Sequence, residues 1–200
     1  MLQIAVTGTL CSGKSSLCRL LEECGAVYVS ADEVVHRLLT TKTKVQDEVI
    51  ALLGQDVVVD GILNREAIAA KVFDNEQLLA KLEALLHPLV KDEIKRECYA
   101  VEKGGQAAMF VVEIPLLFEV DAANDYDFTV AVVADETLSR GWYQEMVGAS
   151  DEEYDRRMRR QLSSEDKAEG ADYIVINDGD MAKLKVKAKK LYQRLLSHQP

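Results

Sequence analysis

The stretch Val6 to Ser16, VTGTLCSGKSS, decides the reading of this chain. An apolar run, Leu2 to Thr7, precedes it and reads as a buried strand. Leu17, Leu20, Leu21 and Cys24 follow at helical spacing, closed by Gly25. Gly8 to Ser15 fits the pattern G-x-x-x-x-G-K-[ST], and the strand-loop-helix context is the one in which that pattern binds phosphate. Glycines let the backbone turn tightly and approach an anion, while loop N–H groups and the helix N-terminus point at negative oxygens. Gly8, Thr9, Leu10, Cys11, Ser12, Gly13, Lys14, Ser15 and Ser16 are therefore expected to hold ATP. Lys14 would reach the β- and γ-phosphates, and the Ser15 hydroxyl would ligate Mg²⁺. The plainer alternative is a glycine turn with no ligand. Cys11 reads either as a passive small residue or as a thiol activated by Lys14 and the helix N-terminus.

Further strand-like runs are Ala26–Val29, Ala107–Ile114, Phe128–Ala134 and Asp172–Ile176, and a last helix is expected over Met181–Leu195. Apolar runs with little polar alternation, separated by helices, predict a parallel sheet covered on both faces. Residues 32–104 read as helical apart from a marginal strand at 57–59, with Pro88 splitting a long helix and Gly104-Gly105 ending it. Residues 141–167 are polar and helical. The expected organisation is one domain. Its nucleotide-binding core is 1–31, 105–140 and 168–200, with a helical substrate-binding insertion at 32–104 and a lid at 141–167.

Two acids sit where chemistry could use them. Ser30 and Glu33 form a Ser-x-x-Glu capping box, which places Asp32 in the first turn of a helix. There its carboxylate either complements the helix dipole or accepts a proton from an attacking hydroxyl at the crevice beyond the strand ends. Arg37 either helps line that crevice or is solvated. Glu113 ends the strand 107–114; it either caps that strand or, at the place of a Walker-B acid, holds Mg²⁺. Pro115 to Phe118, including Leu116 and Leu117, would form an apolar wall. A GTPase is excluded, because neither Asp-x-x-Gly after this strand nor Asn-Lys-x-Asp further on is present.

Acidic residues outnumber basic ones, 34 to 24, so the net charge of −10 opposes nucleic-acid binding. No run approaches a membrane span, and the N-terminus lacks the features of a signal peptide, so a cytoplasmic protein is expected. No pattern calls for an obligate protein partner. Cys11, Cys18, Cys24 and Cys98 show no zinc spacing, and buried free thiols are expected for at least three of them.

The chain resembles the dephospho-coenzyme A kinases, P-loop kinases, from about Ile4 to Gly179. The resemblance rests on GKS at 13–15, ADxxxxR at 31–37, LNR at 63–65 and LLHPLV at 85–90, then PLLFE at 115–119, RRMRRQ at 156–161, Lys167 and ADYIVIN at 171–177. It implies a three-layer α/β fold with a five-stranded parallel sheet, a helical substrate-binding insertion and a short helical lid. The activity implied is transfer of the ATP γ-phosphate to the ribose 3′-hydroxyl of dephospho-CoA. It also implies residue roles. Asp32 would be the catalytic carboxylate, and Arg65 and His87 would belong to the dephospho-CoA site. Arg140 and Arg157 would be lid arginines, and Asn177 part of the adenine wall. Arg157 and Gln161 are expected to share a helix face, with Arg156, Arg159 and Arg160 solvated. His87 could instead cap a helix junction before Pro88.

The chain departs from the family pattern at a few places. Ser30 and Glu113 stand where aspartates are usual, Gln144 stands where a second lid arginine is expected, and Thr9 and Cys11 replace loop glycines. A kinase of the same fold acting on another small hydroxyl or a nucleoside monophosphate, and a regulatory nucleotide-binding ATPase, are the rival functions.

Overall fold

The computed structural model describes residues 1–41, 44–72, 75–105, 107–148 and 150–198. Positions 42, 43, 73, 74, 106, 149, 199 and 200 of the segments anticipated above lie outside the described residues. The chain divides into two compact units, Met1–Val29 with Val101–Pro200, and Ser30–Ala100.

The first unit is built on the five-stranded sheet expected from the apolar runs. Its strands are β1 (Leu2–Gly8), β2 (Val27–Ser30), β5 (Met109–Glu113), β6 (Phe128–Ala134) and β7 (Tyr173–Asn177), in the spatial order β2-β5-β1-β6-β7. β1 runs parallel to β5 and β6, and β6 parallel to β7. The chain goes to one side of β1 for β2 and β5, then to the other for β6 and β7. β1 thus lies at the reversal of strand order, where α/β sheets open a crevice at their carboxyl ends.

One face of the sheet presents Ile4, Val6, Met109, Val111, Val130, Val132 and Val175. Against them pack Leu17 and Leu21 of α1 (Lys14–Glu23) and Leu184, Leu191 and Leu195 of α9 (Met181–Leu196). Leu17 and Leu21 are fully buried, a stabilisation of about 2 kcal/mol each. Period-two alternation turns Ala5, Thr7, Phe110 and Ala131 to the opposite face, where α8 (Ser164–Gly170) packs against β1 and β6. Cover thins at the edge strand, where Ile174 and Ile176 are exposed, contrary to a sheet shielded throughout. α6 (Glu136–Val147) and α7 (Asp151–Met158) complete this unit. Cys18 and Cys98 are buried but Cys11 and Cys24 only partly so; two thiols are shielded rather than three.

The second unit holds α2 (Ala31–Thr40), α3 (Lys44–Leu53), α4 (Arg65–Val72) and most of α5 (Glu76–Gly104). Its separate core gathers Leu39, Val49, Leu53, Leu63, Ile68 and Leu86. One expectation is met in part and one fails. The marginal strand at 57–59 is present as β3 (Val58–Val59), and it pairs with β4 (Ile62–Leu63), which was not expected, in an antiparallel hairpin. Asp60 and Gly61 at its tip have φ of 53° and 78°, the paired positive values that an Asp-Gly two-residue turn favours. Pro88 does not split the long helix, which runs unbroken for 29 residues. The missing N–H leaves the Ala84 carbonyl without its helical donor, but Ala84 and Pro88 are both exposed to water. Leu82, Leu86, Val90, Ile94 and Cys98, four apart, keep the buried stripe continuous through the proline.

Candidate active site

The phosphate loop is held in shape by its own bonds. The Ser12 N–H donates to the Thr9 carbonyl at 3.2 Å, and Lys14 Nζ, nearly buried, donates to the same oxygen at 2.8 Å. Asn177 at the end of β7 donates from Nδ2 to the Ser12 carbonyl at 3.0 Å and accepts the Gly179 N–H at 3.2 Å. Asn177 therefore braces the loop backbone. Gly8, at φ 151°, has no room for a side chain, since a Cβ would lie 2.4 Å from the Val132 carbonyl oxygen. Gly13, at φ 93°, is the N-cap of α1 and offers no side chain to the first amides of that helix, which remain directed at the loop. The Ser12 hydroxyl is buried without a hydrogen-bond partner among the described residues. Cys11 adopts φ 55°. Burial pushes its thiol above the usual range, and Lys14 and Arg157 pull it back.

Beside the loop, Glu113 is buried at the end of β5. Its Oε1 accepts the Ser15 hydroxyl at 2.8 Å, and its Oε2 accepts the Tyr28 hydroxyl at 2.5 Å. Two hard oxygen ligands side by side, Ser15 Oγ and the Glu113 carboxylate, fit Mg²⁺, which takes few protein ligands and keeps the rest of its shell for water and phosphate oxygens. Among the described residues no cluster of three or more His, Cys, Asp or Glu could hold a metal.

The turn after β5 carries Leu116, half-buried, and Leu117, fully buried. Two groups fix its start: Thr7 Oγ1 and Lys167 Nζ both donate to the Pro115 carbonyl, at 3.1 and 2.7 Å. Lys167 is fully buried in α8 and also pairs with Glu119 at 2.7 Å. Burial lowers its pKa and Glu119 partly restores it.

Arg140 on α6 is clasped by three carboxylates, Asp155 at 2.6 Å, Glu136 at 2.8 Å and Asp151 at 3.1 Å, and stacks 4.5 Å over the Tyr154 ring. These acids hold its proton more firmly than usual. Arg157 pairs with Glu153 at 3.1 Å and lies 5.6 Å over Tyr143. Arg157 and Gln161 do not share a helix face, because α7 ends at Met158 and Arg159 is its C-cap. Arg156, Arg159 and Arg160 are exposed. Gln144 donates to Asp151 at 3.0 Å.

In the second unit, Ser30 caps α2 by accepting the Glu33 N–H at 3.4 Å, and Asp32 lies in the first turn. Arg37 pairs with Glu97. Arg65, exposed, opens α4 next to Asn64, which caps it through the Ala67 N–H at 2.8 Å. His87 is exposed inside unbroken α5, so it caps no junction.

Sequence reasoning missed Tyr28 and the acids around Arg140. Glu136 could have been found four residues before Arg140. Tyr28 was hidden because only the strand order sets β2 beside β5.

No described helix is long and apolar enough to cross a membrane. The chain matches the family model described as Dephospho-CoA kinase over residues 2–183. It is 40% identical to a dephospho-CoA kinase of Protochlamydia amoebophila, over 96% of both chains. Among solved structures, a Thermus thermophilus protein superposes with a TM-score of 0.83 at 30% identity, covering 97% of each chain. A dephospho-CoA kinase from Campylobacter jejuni shares the fold, with a TM-score of 0.71 at 23% identity, covering 98% of this chain and 97% of that one. A match across nearly the whole chain, on a sheet whose central strand leads into an intact phosphate loop, has one meaning: the chain belongs to the dephospho-CoA kinase family.

Proposed function

We propose that this chain transfers the γ-phosphoryl group of ATP to the ribose 3′-hydroxyl of dephospho-CoA, giving coenzyme A and ADP. The observation that carries this reading is the preformed loop Gly8–Ser15, with Glu113 at 2.8 Å from Ser15, in a chain that follows dephospho-CoA kinases along its length.

The loop amides and Lys14 bind the β- and γ-phosphates, with Thr9, Leu10, Cys11, Ser12 and Ser16 shaping the loop around them and Asn177 bracing it. In transfer, the bond from the 3′-oxygen to the γ-phosphorus forms and the bond from that phosphorus to the β,γ-bridging oxygen breaks. Asp32 orients the attacking hydroxyl and takes its proton; positioning matters more here than basicity. Arg140 and Arg157 neutralise charge that spreads over the transferring group. Arg37, Arg65, His87, Leu116 and Leu117 bind the acceptor. Ser15 and Glu113 would hold Mg²⁺, which when bound would supply screening of the phosphate charge. The segment 141–167 acts as a lid that keeps water from competing with the acceptor. The free thiols suit a cytoplasmic setting.

Phosphorus NMR on purified protein with Mg·ATP and a panel of acceptors tests the reading. A new 3′-phosphate resonance with dephospho-CoA alone is the expected outcome; phosphate release with no acceptor product overturns it. Asp32→Asn should lower turnover roughly 10²- to 10⁴-fold while ATP affinity stays within about twofold. Equal loss of both would make Asp32 a structural residue of α2.

A further inference from the structure

Glu113 carries one methylene more than an aspartate, and so one more rotatable bond between backbone and carboxylate. A metal-binding carboxylate has to be held within about 0.5 Å of its working position. In this chain both Glu113 oxygens are engaged by different donors: Ser15 on Oε1 at 2.8 Å and Tyr28 on Oε2 at 2.5 Å. A hydroxyl donating to an ionised carboxylate over so short a distance is a charge-assisted bond, roughly twice as strong as a neutral one. Tyr28 is well placed to give it, because it stands on β2, the sheet neighbour of β5. Its ring is partly buried against the core of the first unit, which restricts where the hydroxyl points. Ser30, two residues further along, spends its oxygen capping α2.

We propose that Tyr28 is a positioning residue for the divalent cation: its hydroxyl locks the Glu113 carboxylate so that Oε1 faces Ser15, and that pair receives the metal of the metal–nucleotide complex. The proposal rests on the assignment of Ser15 and Glu113 as the metal side of the site. It also explains how a glutamate can serve where the resemblance expects an aspartate: a second hydrogen bond removes the freedom that the longer side chain adds.

The test is Mn²⁺ binding to the full chain in the presence of ADP, read from the electron paramagnetic resonance signal of free Mn²⁺. Tyr28→Phe keeps the ring and removes the hydroxyl. It should weaken Mn²⁺ binding roughly 10- to 100-fold, the usual effect of losing a group that orients a metal ligand. ADP affinity without divalent cation should stay within about twofold, and the metal-free melting temperature should fall by several degrees, about what losing one hydrogen bond to a buried acid costs. Glu113→Gln separates the two layers of the argument. If it leaves Mn²⁺ affinity unaltered, the metal assignment fails and the role of Tyr28 fails with it. If it weakens binding while Tyr28→Phe does not, Tyr28 only packs the core and the proposal alone is overturned. In the Glu113→Gln background, Tyr28→Phe should have no further effect; an undiminished effect there would show that Tyr28 acts through another group and would overturn the proposal.

Discussion

At the scale of single residues, Gly13 shows how little tolerance the loop has. A Cβ at this position would lie 2.3 Å from Asn177 Nδ2, the atom that binds the Ser12 carbonyl. Its φ of 93° is also one that side chains resist, at about 1–2 kcal/mol. Gly13→Ala should therefore lower stability by about 2–4 kcal/mol in urea titration and abolish measurable ATP binding. Gly105→Ala is the control: its φ is 58° but nothing lies within 4 Å of the added carbon, so only the backbone term remains. The loop was readable because its chemistry is local, with eight consecutive residues carrying strand exit, turn and helix entry. The contacts that finish the site were not. The resemblance names Asn177 but not its bond to Ser12 across 165 residues, and nothing local links Tyr28 to Glu113 across 85. Such contacts follow from strand order and register, which no short pattern in a single sequence reveals.

At the scale of elements, α8 is tied to the turn after β5 by one side chain. Lys167 bonds the Pro115 carbonyl and pairs with Glu119, whose Oε2 has no partner among the described residues. Lys167→Met removes both bonds and leaves a shielded acid unpaired, at a cost of about 3 kcal/mol near neutral pH. The pH dependence has a definite sign. Burial depresses the folded lysine's pKa, so the folded form releases its proton at lower pH than the unfolded chain. Between the two values the unfolded state binds more protons, and the native protein gains stability as pH rises towards about 10.5. Methionine cannot titrate, so the gap in urea midpoint between native protein and variant should widen from pH 8 to pH 10. A constant or narrowing gap would mean that the lysine is not depressed. Element boundaries were readable wherever period and caps agreed, as for β6 and α9. The first strand of the hairpin at Val58–Leu63 showed as a marginal run at 57–59, but its partner Ile62–Leu63 is too short to stand out, although Val-Val-Asp-Gly-Ile-Leu carries the turn signal. Pro88 misled because a helix-breaking residue can be accommodated on a wet face while a buried stripe four residues apart carries the helix past it.

At the scale of the whole molecule, two cores share one chain. Leu53, almost fully buried, belongs to the second. Leu53→Ala should cost about 2–5 kcal/mol, and amide hydrogen exchange should register that loss in Ser30–Ala100 far more than in β1, β5 and β6. Uniform loss of protection would mean that the two cores open as one cooperative body. The brace from Asn177 to the Ser12 carbonyl has a consequence for biogenesis. A ribosome releases the loop 165 residues before the asparagine that braces it. A nascent chain has the loop's glycines and lysine long before it has their scaffold. A nucleotide that needs the braced loop therefore favours molecules in which β7 already lies in the sheet.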